Sequence, residues 1–97
     1  MKKYTFYSLM YKDNRTQAVE HEGYTDGVYN YYKNFSTWYA ISPAVGLSVA
    51  MAPTRKEAAT MAHKLTEKVK DKLKAMPDAV ERFARARYDA KTEEAKR

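Results

Sequence analysis

The chain has 97 residues, 44% of them hydrophobic and 31% charged, no cysteine and a net charge of +6. That length encloses one core with nothing over for a second, and the balance is that of a soluble globular domain rather than a disordered chain. Disulfides, thiolate nucleophiles and cysteine zinc sites are excluded, apolar runs of three or four residues exclude a membrane-spanning helix, and Met1-Lys2-Lys3 leads into Tyr4 instead of a signal core, so a cytoplasmic protein is expected.

Tyr4 to Tyr11 alternates aromatic and apolar residues with no fully polar face and reads as a strand covered in part on both sides. Lys12-Asp13-Asn14-Arg15 supplies the left-handed backbone of a tight hairpin, and Thr16 to Glu22 is its more exposed partner. Asp26-Gly27 signals another hairpin, with a short strand over Val28 to Tyr32. From Phe35 the alternation is regular, with Phe35, Thr37, Tyr39 and Ile41 on one face and Trp38 and Ala40 on the other. Pro43-Ala44-Val45-Gly46 fits a turn with Gly46 at positive φ. Leu47, Val49 and Met51 follow, and the small residues Ser48, Ala50 and Ala52 let a helix approach the other face.

That helix begins at a capping box, Thr54-Arg55-Lys56-Glu57, and carries Ala58, Ala62, Leu65, Val69, Leu73 and Met76 as one apolar stripe. Met76-Pro77 stops it. Asp78 and Glu81 form a second, weaker capping box for a shorter helix with Val80, Phe83, Ala84 and Tyr88 on its apolar side. The expected fold is α+β: an antiparallel sheet of four or five strands packed by one long helix, then a shorter C-terminal helix. Residues 1–88 form the single domain and residues 89–97 a frayed charged tail.

Nothing in the sequence arranges catalysis or cofactor binding. His21 and His63 have no motif around them, Glu20-His21-Glu22 splits across two strand faces, and the three glycines are too scattered to cradle phosphate. An enzyme is not expected, nor a metal or cofactor. What stands out is recognition chemistry. Among nine tyrosines, three phenylalanines and one tryptophan, several crowd together between residues 24 and 39. Tyr24, Tyr29, Tyr31, Tyr32, Trp38 and Tyr39 are the candidate partner-binding rings, because such rings bury rigid area while keeping a polar tip. Residues 1–53 carry five Lys/Arg and four Asp/Glu, residues 54–97 thirteen and eight. The helical half therefore holds most of the positive field, with Arg55, Lys56, Lys64, Lys68, Arg82 and Arg85 as candidate contacts to nucleic acid or an acidic surface.

The segment from Trp38 to Leu65 is similar in its last hairpin and T-R-K-E-A-A-T-M-A helix start to the C-terminal half of double-stranded RNA-binding domains, though no amphipathic helix precedes the first strand. That resemblance implies phosphate contact by Thr54, Arg55 and Lys56. The W-Y-x-I, G-L-x-V-A and T-R-K-E-A pieces together resemble small accessory proteins of bacteriophages and mobile elements, which implies docking on a host protein or nucleoprotein complex as an inhibitor or modulator. Direct nucleic-acid binding by the basic helix start and stacking tyrosines is the alternative, and a self-associating homodimer a third reading.

Overall fold

The structure is a computed structural model that describes residues 1–66, 68, 71, 72 and 75–95. Five strands, β1 (Lys2–Lys12), β2 (Arg15–Thr25), β3 (Asn30–Asn34), β4 (Thr37–Ile41) and β5 (Ser48–Ala52), precede the helices α1 (Arg55–Lys64) and α2 (Pro77–Ala95). The strands pair antiparallel in chain order as one five-stranded meander, so the expected α+β class holds. No helix among the described residues is long and apolar enough to cross a membrane.

The β1–β2 hairpin closes at Asp13 and Asn14, whose φ values of 54° and 62° are the left-handed pair such a turn needs and which Asp and Asn tolerate. Further along, β2 must let β3 cross close above it. A Cβ built on Gly23 would lie 2.0 Å from the carbonyl oxygen of Tyr31, which explains glycine there. Beyond this point the sheet curls, and the Leu9 N–H at the outer edge of β1 donates to the carbonyl of Gly46 after β4 (2.8 Å). Gly46, at φ 72°, is also pressed by the ring of Phe83, which is 1% exposed.

The small-residue face of β5 is used as anticipated. Ala50 and Ala52 join Ala40, Tyr29 and Tyr31 in a core cluster with Ala58 and Ala62 of α1. Alanines on both sides permit close approach, and the tyrosines fill the space that alanines leave. Thr54 caps α1 by accepting from the Glu57 N–H (3.2 Å).

The helices depart from expectation. The anticipated long helix is interrupted: α1 has ten residues and ends at Lys64, where the Leu65 N–H bonds back to Met61 and Ala62, and Thr66, Lys68, Asp71 and Lys72 beyond it are again helical. Leu65 and Met76 are exposed, while Val69 and Leu73 lie outside the described residues. The longer helix is α2, at 19 residues. Pro77 opens it from a position where the missing N–H costs nothing, and this places Asp78 inside the first turn rather than at the cap. Residues 89–95, expected to fray, continue α2, which packs on β2 and β1 and reaches Arg15 through Glu93 (4.0 Å). Its contact side is Ala79, Phe83, Ala86 and Ala90, whereas Ala84 and Tyr88 face solvent.

Gly23→Ala is expected to lower unfolding free energy by about 1–3 kcal/mol in urea titration, because the new methyl meets backbone that cannot rotate away. An unchanged midpoint would mean that β3 has room to shift.

Candidate nucleic-acid interface

The six aromatic residues singled out from sequence divide into three groups. Tyr29 and Tyr31 are 4% and 0% exposed and belong to the core, so they are not docking rings. Their burial follows from register: Tyr31 pairs between Tyr24 and Ala40 on the face that α1 covers. Tyr32 and Tyr39, directly opposite each other, lie on the reverse face and stack at 5.3 Å. Tyr32 also stacks on His21 at 3.9 Å and 13°, and His21 sits beside Phe6 and hydrogen-bonds Ser8 (2.6 Å). Ser8 is 2% exposed, so its hydroxyl is buried, while the His21 ring keeps part of its surface in solvent.

Tyr24 and Trp38 form the third group. Both are half-buried on the α1 side, with ring centroids 6.1 Å apart, and Arg55 from the first turn of α1 lies over them at 4.1 Å from Tyr24 and 5.7 Å from Trp38. Each such contact is worth about 0.5–1 kcal/mol at a partly wet site, so the two together offset much of the roughly 2 kcal/mol of rotamer freedom that the side chain gives up and favour the guanidinium over the rings. The strand register adds two cations that the sequence reading did not single out: Lys3 pairs with Tyr24 and Lys33 with Trp38, each on the same face as its ring. Only β-pairing reveals this, because Lys3 and Tyr24 are far apart in the chain and the face shared by Lys33 and Trp38 depends on the hairpin register. Among the described residues Lys3, Lys33, Arg55 and Lys56 have no carboxylate partner. Glu22 and Glu57 are exposed nearby and reduce the local field without neutralising it. Beside Arg55, Met1, Lys56, Ala59, Thr60 and His63 line an open hollow of about 520 Å³.

The other basic candidates do not gather here through any contact. Lys64 and Lys68 are exposed at and beyond the end of α1, and Arg82 and Arg85 are exposed on α2, which packs against β1 and β2. Arg87, on the same helix, lies 4.5 Å over Phe83.

The loop and helix that carry the candidate interface are tied together by Asp26. Its Oδ1 accepts from the Val28 and Tyr29 N–H groups (2.9 and 2.8 Å), and its Oδ2 accepts from the Tyr31 hydroxyl and from His63 Nε2 (both 2.6 Å). The acceptor role of the carboxylate puts a proton on His63 Nε2, whose ring meets Tyr29 edge-on at 5.4 Å. Burial alone would raise the Asp26 pKa, but the Tyr29 N–H, Tyr31, His63 and Val28 outweigh it and hold the carboxyl well below its ordinary range. Burial, then the Asp26 hydroxyl contact and charge, push Tyr31 far up; burial and Tyr39 raise Tyr32. Burial lowers His21. Asp26-Gly27, read as a two-residue hairpin, is instead the start of a four-residue loop between paired Thr25 and Asn30, shaped by these bonds.

Among the described residues no three His, Asp or Glu side chains converge as metal ligands. Comparison of the chain with protein-family models, curated proteins and solved structures returns no match.

The signs of these shifts set the pH profile. His21 and Asp26 have lowered folded values, so their contributions are full above the unfolded values of about 6.5 and about 4 and are lost as pH falls from there through the lower folded ones; Tyr31 and Tyr32 have raised ones, so theirs is full below about 10 and is lost as pH rises beyond it. Thermal unfolding between pH 2 and 11 should show a decline setting in below about pH 6.5, a second setting in below about pH 4 and one above about pH 10, and a flat profile from pH 7 to 5 would remove the His21 assignment. Asp26→Asn keeps the Oδ1 acceptor but sets an amide donor against Tyr31 and His63. It should cost about 1–2 kcal/mol in urea unfolding and abolish the step below pH 4.

Proposed function

We propose that the chain is a non-enzymatic binding protein that takes nucleic acid across the strip Lys3–Tyr24–Arg55–Trp38–Lys33. The observation that carries this reading is Arg55: a guanidinium held over two partly exposed rings, flanked by lysines, with no carboxylate to satisfy it among the described residues. A pre-positioned cation loses little freedom on meeting a phosphate, and the planar group and its neighbouring rings offer stacking area as well as charge. The net charge of +6 favours encounter with a polyanion.

Docking on a host protein or nucleoprotein complex through a continuous tyrosine surface is the weaker reading, because burial of Tyr29 and Tyr31 divides that surface into two groups on opposite faces. Tyr32 and Tyr39 keep it open, as the half-exposed pair on the reverse face.

The test is titration with a labelled oligonucleotide over a range of salt concentrations. The logarithm of affinity should fall linearly with the logarithm of salt concentration. Arg55→Ala should weaken binding about tenfold at low salt and reduce the slope by about one. Absence of binding at 20–50 mM salt, roughly where phosphate contacts are strongest, would sink the proposal.

A further inference from the structure

Two tight turns in this sheet solve the same geometric problem with different residues. The β1–β2 turn spends Asp13 and Asn14 on left-handed backbone, the usual choice. The β3–β4 turn, with Asn34 paired to Thr37 and only Phe35 and Ser36 between, puts Phe35 at φ 57°. A bulky side chain in that region is an outlier, costing about 1–2 kcal/mol relative to glycine. The cost brings no packing in return, since Phe35 is 93% exposed, more than any other large hydrophobic residue described, and touches no other ring. Exposure and left-handed backbone both work against a phenylalanine here.

Position supplies a use. Lys33 and Trp38 are the next pair but one down the hairpin, so Phe35 projects about 7 Å along the strand beyond them, at the end of the sheet where β5 runs into α1 and Arg55. The ring therefore extends the cationic strip beyond its Lys33 end. Charge complementarity selects the occupant: cations unpaired with carboxylate attract a phosphate backbone, and a ring standing free of the surface beside that backbone can meet a base only where the base is unpaired or can be unstacked.

We infer that Phe35 is the base-stacking residue of this strip and that the ligand class is single-stranded nucleic acid. The inference rests on the nucleic-acid reading above and narrows it. A duplex can use the lysines and Arg55 but has no free base face for the ring, so affinity for the single strand exceeds affinity for the duplex of the same sequence.

Wild type, Phe35→Ala, Phe35→Trp and Phe35→Asn would be titrated with a single-stranded oligonucleotide carrying 2-aminopurine and with its duplex. Phe35→Ala should weaken single-strand binding roughly tenfold with the salt slope unchanged, because stacking releases no counterion. Phe35→Trp should retain affinity and quench the 2-aminopurine. Phe35→Asn should raise the melting temperature while weakening binding, which separates the ring's cost to the fold from its use. Equal affinity of Phe35→Ala and wild type, with salt-dependent binding intact, would overturn the stacking role, leave the cationic strip standing and direct the ring to a protein pocket instead. No binding of either oligonucleotide by the wild type would overturn both.

Discussion

Four hydrogen bonds to one carboxylate hold the β2–β3 loop, the buried face of the sheet and α1 in register. Asp26 gathers two amides of its own loop, the hydroxyl of the most deeply buried tyrosine and a histidine of α1. The alanine faces of the sheet and α1 provide apolar contact, but such contact is non-directional and does not choose a helix position along the strands. The Asp26–His63 bond chooses it. Because Arg55 lies two turns before His63 on the same ten-residue helix, fixing His63 also fixes where the guanidinium lands on Tyr24 and Trp38.

This arrangement separates two uses of tyrosine that look alike in the chain. Tyr31 supplies volume and one donor to a core otherwise built of alanine; Tyr24 supplies a ring face to a cation at the surface. The two are adjacent partners in the β2–β3 ladder and differ in which of them α1 covers fully. Aromatic density is thus in part a packing device here, compensating for a helix interface made of small residues.

Much of the fold was legible from local chemistry. Asp13-Asn14, Gly46, Thr54 and the small face of β5 each state a backbone or packing requirement within a few residues, and the structure uses all of them. The break at Leu65 was not legible, because the apolar stripe runs through it without a change of period, and neither was the length of α2, which holds its acidic and basic end through packing on β2 rather than through apolar residues of its own. For the candidate interface, Arg55, Lys56, Tyr24 and Trp38 could be named from type and neighbourhood. Lys3 and Lys33 could not, since their membership depends on strand register, and neither could the Asp26–His63 bond across 37 residues.

Gly46 is held from two directions, by the amide of Leu9 on one side and the ring of Phe83 on the other. The order of synthesis gives that detail a kinetic meaning. The first hairpin can form as soon as it emerges, yet one border of it stays unsealed until the loop after β4 arrives, and that loop gains its clamp only when α2 has been made. Such late, non-local closure slows folding and leaves an unfinished chain presenting a sticky strand border. Docking of α2 on Gly46 is thus a late step, and it completes the border of the first hairpin beside Leu9.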